Sequence, residues 1–131
     1  MQANYLLLGS TSSFLFPILY SYRKHNMILF YSSIIAFAGS MNYWRNPMLT
    51  HNRNLDLVTS KLSLVCYLVY GYTNIQWISL KAFGCGNLYI MYHFYNSSCK
   101  KYEFNDDDWV NDHMLFHFFT AFAKLYVIHW T

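Results

Sequence analysis

The stretch that decides the fold is residues 105–130, NDDDWVNDHMLFHFFTAFAKLYVIHW. A run of acidic residues ends at Asp112, and a long apolar segment with few charges follows it. His113 and His117 lie four residues apart at the start of that segment, so a helix would place both imidazoles on one face. We therefore expect a helix over 113–130 with a pair of histidines at its entrance.

The composition is typical of a membrane protein with one domain. Of the 131 residues, 55% are hydrophobic and 11% are charged, against roughly 25% charged residues in ordinary soluble domains. Much of the apolar content comes from 13 Tyr and 11 Phe, and aromatic belts are typical of membrane interfaces. The net charge of +3 forms no basic stripe, so no nucleic-acid partner is expected. The composition predicts an integral membrane protein of an endomembrane, an organelle or a viral internal membrane.

The apolar segments predict an all-α, multi-pass transmembrane helical bundle with four to five spans in a single domain, residues 1–131. Pro17 predicts a kink in the first span. Gly84 and Gly86 interrupt the fourth segment, where a re-entrant or interfacial segment remains an alternative to a true span. The candidate spans are 5–22, 27–44, 57–80, 82–99 and 113–130.

A five-span topology has a consequence for the polar residues at the helix ends. Ser40 lies near the exit of the second span, and Asp56 lies at the entry of the third. Both would share a membrane face with His113 and His117, provided that the segment 82–99 crosses the membrane. The sequence therefore predicts a polar cluster at one end of the bundle.

These residues resemble a superfamily of seven-span proteins that includes the alkaline ceramidases, the adiponectin/progestin receptors and the GPI-lipid remodelling proteins. The segment NDHMLFHFFTAF resembles the HxxxH segment of their last span, and SMNYW followed by HNRNLD resembles their earlier Ser-to-Asp segment. The resemblance implies a zinc ion held by three histidines. This chain departs from the pattern at Trp44, which stands four residues after Ser40 where the first histidine of an alkaline ceramidase is expected.

If the resemblance extends to function, the chain is a zinc-dependent transmembrane lipid hydrolase, a ceramidase-like amidase or esterase. Zinc would lower the pKa of a bound water and generate hydroxide. A catalytic zinc normally takes three protein ligands, so His113 and His117 would need a replacement ligand, for which His51, Asp56 and Asp112 are the candidates and His51 is placed first. Asp56 would act as general base or orienting residue, and Ser40 would donate a hydrogen bond to the oxyanion.

The other interpretation, which we place first, is a small multi-pass membrane protein with a structural or assembly role and no cofactor. Trp109 and Trp130 would then mark the two interfaces of the last span, about 21 residues apart. The expected partners are the lipid bilayer and other membrane, capsid or complex subunits. Whether the chain is an enzyme stays open at this point, because both interpretations use the same histidines.

Overall fold

The computed structural model describes residues 2–45 and 50–131, and the regular structure in these two ranges is entirely helical. The predicted all-α class is therefore confirmed. Of the helices in these ranges, none combines the length and the apolar character needed for a membrane crossing. The elements are α1 (Gln2–Thr11), a 3₁₀ turn (Ser12–Phe14), α2 (Leu15–Arg23), α3 (Met27–Arg45), α4 (Thr50–Asn74), α5 (Ile78–Glu103) and α6 (Trp109–Trp130).

The first two helices form one arm that is broken by the 3₁₀ turn. Pro17 lies just after this turn and has no N–H to donate to the carbonyl of Ser13, which explains the irregular backbone. The hydroxyls of Ser10 and Thr11 both donate to the carbonyl of Leu7, at 3.1 and 2.7 Å. The serine-rich segment thus satisfies its own backbone where the helix is interrupted.

The boundaries of α4 and α5 differ from the predicted spans. Helix α4 ends at Asn74 rather than at residue 80, because the backbone of Trp77 is extended (φ −80°, ψ 125°) and a new helix starts after it. Gly84 and Gly86, which interrupt the apolar pattern, lie inside α5 and do not interrupt the helix. The segment 82–99 is therefore part of one continuous helix.

Helix α6 lies at the centre of the bundle and contacts α1, α2, α4 and α5, while α3 packs on α1, α2 and α4. Helix α5 makes its extensive contacts with α6 alone. One end of the bundle is built around Leu7, Trp44 and Val110, and we call it the histidine end because His113 and His117 lie beside this cluster. The opposite end is built around a second cluster of Leu29, Tyr67 and Ile128.

Helices α3 and α4 pack closely at Gly39. A Cβ atom at this position would collide with the Oγ1 atom of Thr59. That hydroxyl donates to the carbonyls of Leu55 and Asp56, at 2.9 and 3.1 Å, so it cannot turn away without losing both bonds. The small residue at 39 therefore sets the approach of α4 to the end of α3.

We expect Gly39→Ala to destabilise the protein, because overpacking a tight contact costs about 1–3 kcal/mol. This loss exceeds the roughly 0.5–1 kcal/mol that Ala gains over Gly inside a helix. The matched control is Gly9→Ala, since a Cβ atom at Gly9 meets no atom within 4 Å. Thermal unfolding of the purified variants measures the difference, and a Gly39→Ala midpoint at or above that of Gly9→Ala would contradict the close contact.

Candidate functional site

His113 and His117 of α6 face the interior of the bundle at the histidine end. The centroids of the His113 and His117 rings lie 4.7 Å apart, which confirms that they share one face of the helix. Only 3% of His117 is exposed. His117 therefore belongs to the packed core, and the half-buried His113 lies at the edge of that core.

His117 is held by the first helix of the chain. The Nδ1 atom of His117 lies 2.7 Å from the Oγ of Ser10 and 3.5 Å from the Oγ1 of Thr11. The ring of Phe14 meets the imidazole edge-on at 5.5 Å between centroids. A buried ring nitrogen without a partner is costly, so these hydroxyls explain how the core accommodates the imidazole.

His113 is held by α5 and by two indole rings. The Oγ of Ser98 lies 3.3 Å from the Nδ1 atom of His113 and donates a hydrogen bond to the carbonyl of Trp109 at 3.2 Å. The rings of Trp44 and Trp109 lie 5.2 and 6.2 Å from the His113 ring. Ser98 thus joins α5 to the first turn of α6 at the histidine end.

Trp44 lies against both imidazoles. Its ring centroid is 5.2 Å from that of His113 and 6.4 Å from that of His117, both in edge-on arrangements. Only 7% of the side chain is exposed. The indole, which offers an N–H donor but no metal-ligating atom, therefore occupies space beside the histidine pair where a third ligand would be needed.

Ser40 and Asp56 meet, as the five-span topology predicts. The Ser40 hydroxyl donates to Oδ1 of Asp56 at 2.6 Å, and the Ser60 hydroxyl donates to the same oxygen at 3.3 Å. Ser40 lies one turn before Trp44 on α3, so this contact is at the histidine end. Among the described residues, neither Ser40 nor Asp56 forms a hydrogen bond to an imidazole. The contact thus joins α3 to α4.

Asp112, the last acid before the predicted span 113–130, joins α5 to α6. Its Oδ2 atom accepts a hydrogen bond from Ser97 at 2.6 Å and lies 3.1 Å from Nζ of Lys101. Partial burial raises the pKa of Asp112, but these two interactions outweigh it and leave the pKa below its ordinary value. The ionised carboxylate in the first turn of α6 also interacts favourably with the helix dipole.

The predicted zinc ligands do not come together as a complete set. His51 is exposed in the first turn of α4, whereas His113 is half-buried and His117 is buried. Within residues 2–45 and 50–131, no three His, Cys, Asp or Glu side chains are grouped so that they could hold a metal ion. The residues described thus do not fit a catalytic zinc, which normally takes three protein ligands.

Sequence reasoning missed the hydroxyl partners of the two imidazoles. Ser10 lies 107 residues from His117, and Ser98 lies 15 residues from His113. The serine-rich stretch 10–13 was a visible signal, because small hydroxyl residues favour helix contacts in membranes. Nothing in the sequence paired this stretch with a particular histidine.

We expect Ser10→Ala to lower the free energy of unfolding by about 1–3 kcal/mol, since it leaves a buried ring nitrogen of His117 with only the distant Thr11 hydroxyl. The matched control is Ser12→Ala, because Ser12 is exposed and bonds only to its own helix, at the carbonyl of Gly9. Chemical denaturation of both variants measures the difference. Equal stabilities would show that the contact between Ser10 and His117 is not needed.

We expect the purified protein to hold much less than one zinc ion per chain, because two imidazoles and an indole do not make a three-ligand site. Trp44→His, which adds an imidazole beside the pair, is expected to raise the zinc content. Elemental analysis after dialysis measures both. About one zinc per wild-type chain, lost in His113→Ala and His117→Ala, would contradict this reading of the cluster.

Comparisons of the chain with protein family models, with curated proteins and with solved structures give no match. The functional proposal therefore rests on the geometry of the chain itself.

Proposed function

We propose that this chain is a small multi-pass integral membrane protein with a structural role in a larger membrane-associated assembly. The observation that carries the proposal is the inverted polarity of the bundle. Apolar side chains cover its outside, whereas many of its buried positions hold hydroxyl, amide or charged side chains. Such a distribution suits a lipid environment and not water.

The outside of the bundle is rich in large aliphatic and aromatic side chains. Ile28 in α3 is 64% exposed, Val69 in α4 is 59% exposed, and Leu19 in α2 is 61% exposed. Soluble monomers rarely expose large contiguous apolar surfaces. Lipid tails would cover these side chains at no cost in free energy, so the pattern favours a bilayer around the bundle.

Small polar side chains lie between the helices. Ser33 of α3 meets the hydroxyl of Tyr67 of α4 at 2.5 Å, and Ser40 donates to Asp56 across the same pair of helices. Helix association in membranes uses such small and hydroxyl-bearing residues, because apolar burial supplies no driving force between helices there. The polar interior is thus the expected complement of an apolar exterior.

Lys124, which lies in the C-terminal half of α6, points into the bundle. Lys124 is 7% exposed, and its Nζ atom lies 5.1 Å from the ring centroid of Phe14 and 5.3 Å from that of Tyr67. Charged side chains within membrane helices almost always face the bundle interior, and ammonium groups are attracted to aromatic faces. The orientation of Lys124 is the one that a bilayer would impose.

The lengths of the longer helices match a bilayer. Helices α4, α5 and α6 have 25, 26 and 22 residues, which correspond to about 33–39 Å at 1.5 Å per residue, against a hydrocarbon core of about 30 Å. The described connections between these helices are short, so the helix faces form most of the surface that the described residues offer to other subunits. This favours an assembly role.

A zinc-dependent lipid hydrolase is the second candidate function. The contact between Ser40 and Asp56 at the histidine end is the observation that favours it. It requires a third metal ligand beside His113 and His117, where Trp44 lies. The zinc measurement on the wild-type chain and on the histidine variants decides between the two functions.

We expect the full chain, expressed in cells, to stay in the membrane pellet after alkaline carbonate extraction. Leu62→Lys should reduce the membrane-integrated fraction, because Leu62 is exposed at the midpoint of α4 and a lysine that faces lipid near the centre of a span costs about 2.5–3.5 kcal/mol on insertion scales. Asp107→Lys is the control, since Asp107 lies in the exposed connection between α5 and α6. Release of the wild-type chain by carbonate, or equal behaviour of both variants, would overturn the membrane proposal.

A further inference from the structure

The acidic side chains of the bundle are all at one of its two ends. The histidine end holds the six acids of the chain, which are Asp56, Glu103, Asp106, Asp107, Asp108 and Asp112. The opposite end carries Arg23 and Lys24 at the end of α2 and Lys81 in the first turn of α5. We call this opposite end the basic end, because it has positively charged side chains and no acidic side chain.

The positive charges of the basic end are not neutralised by carboxylates of the described residues. The salt bridge within residues 2–45 and 50–131 lies at the histidine end, so Arg23, Lys24 and Lys81 form none. The Nζ atoms of Lys24 and Lys81 instead lie 5.8 and 4.6 Å from the ring centroids of Tyr20 and Tyr72. Aromatic rings attract ammonium groups but carry no net charge. The basic end therefore attracts an anion from outside the chain.

Three side chains join the ends of α2 and α6 at the basic end. The Nδ1 atom of His129 lies 3.0 Å from the hydroxyl of Tyr20. The Nζ atom of Lys24 donates to the carbonyl of His129 at 3.3 Å, which leaves two of its three N–H groups for other partners. No described residue forms a hydrogen bond to Nε2 of His129. An ammonium group and one imidazole nitrogen are thus open to a ligand at the same place.

An apolar cleft on the outside of α6 leads to these groups. The cleft has a volume of about 300 Å³ and is lined by Tyr20, Phe122, Leu125, Tyr126, His129 and Trp130. Phe122 and His129 are seven residues apart in α6, which corresponds to about 10 Å along the helix axis. The cleft is therefore apolar at Phe122 and Leu125 and becomes polar at His129, where it reaches the basic end.

The charge and the lining of this region fit a phosphate group that is attached to a hydrocarbon chain. Phosphate oxygens accept strong hydrogen bonds from ammonium and imidazole N–H groups, and the apolar part of the cleft can cover the start of an acyl chain. An acidic peptide would match the charge but not the apolar lining at Phe122 and Leu125. The trimethylammonium group of a zwitterionic phosphatidylcholine would lie beside the like charges of Arg23 and Lys24.

We propose that the cleft of α6 and the basic end bind an anionic phospholipid. This inference rests on the proposed membrane location and adds the class of lipid that the bundle prefers. Lys24 and His129 bind the phosphate group, while Phe122 and Leu125 contact the acyl chain next to it. Basic pockets between membrane helices bind anionic headgroups in this way.

Native mass spectrometry of the detergent-solubilised full chain measures the lipid preference. The probes are phosphatidylglycerol and phosphatidylcholine with identical acyl chains, so that the two lipids differ in the headgroup alone. We expect phosphatidylglycerol to bind about fivefold more tightly, which is the gain that one basic residue provides near an anionic headgroup. Equal binding of the two lipids would overturn the proposal.

Matched variants locate the preference on the surface. Lys24→Gln removes the ammonium group at the cleft, and Lys100→Gln removes an exposed ammonium group at the histidine end. We expect Lys24→Gln to lose about fivefold in affinity for phosphatidylglycerol and Lys100→Gln to keep it. His129→Phe, which keeps an aromatic ring but lacks the nitrogen atoms, is expected to weaken the same lipid. Equal losses in Lys24→Gln and Lys100→Gln would contradict a site at the basic end.

Two further measurements distinguish the lipid from other anions. A benzophenone amino acid in place of the exposed Phe122 is expected to cross-link to phospholipid in cells, whereas a cross-link to a polypeptide would overturn the proposal. Inorganic phosphate should displace phosphatidylglycerol no better than sodium chloride of the same ionic strength. Stronger displacement by phosphate would show that the site recognises free phosphate and not a lipid.

The outcomes separate this inference from the membrane proposal. A chain that carbonate releases from the pellet contradicts the membrane location itself. A chain that stays in the pellet but binds phosphatidylglycerol and phosphatidylcholine equally overturns only the preference for an anionic phospholipid.

Discussion

The hydrogen bond between His117 and Ser10 ties the last helix of the chain to the first, across 107 residues of sequence. A buried imidazole without a partner is costly, and Ser10 of α1 supplies the partner here, so this contact favours the packing of α1 over the entrance of α6. The same arm of the chain contains the 3₁₀ turn before Pro17. Phe14, the last residue of that turn, packs edge-on against the imidazole of His117. The other helices pack around α1 and α6: helix α3 packs against α1, and helix α5 packs against α6.

Trp44 determines what kind of side chain lies against the two imidazoles at the histidine end. An indole against two imidazoles supplies apolar packing and edge-on ring contacts, whereas a third ligand in the same space would supply a metal site. The hydroxyl of Ser10 lies within hydrogen-bonding distance of the Nδ1 atom of His117, and the hydroxyl of Ser98 lies within hydrogen-bonding distance of the Nδ1 atom of His113. The two histidines therefore act as polar links between three parts of the chain: α1, the end of α3 and the end of α5.

The proposed membrane location rests on how polarity is distributed over the bundle. Large apolar side chains such as Leu19, Ile28 and Val69 are exposed, whereas Ser33, Ser40 and Lys124 are buried between the helices. Helix α5 makes its extensive contacts with α6 alone, so it lies at one side of the bundle.

The sequence by itself determined the helical class, the approximate position of each helix and the shared face of His113 and His117, because hydrophobic runs and the helical repeat are local properties. It also predicted that Ser40 and Asp56 lie at the same end of the bundle, because one is near the end of a helix and the other near the start of the next; their direct contact came from the structure. Only the tertiary structure decided that Gly84 and Gly86 stay within one helix, that His51 lies outside the core, and that Ser10 and Ser98 bind the imidazoles. These features depend on the packing of helices far apart in sequence, and no local pattern records which faces will meet.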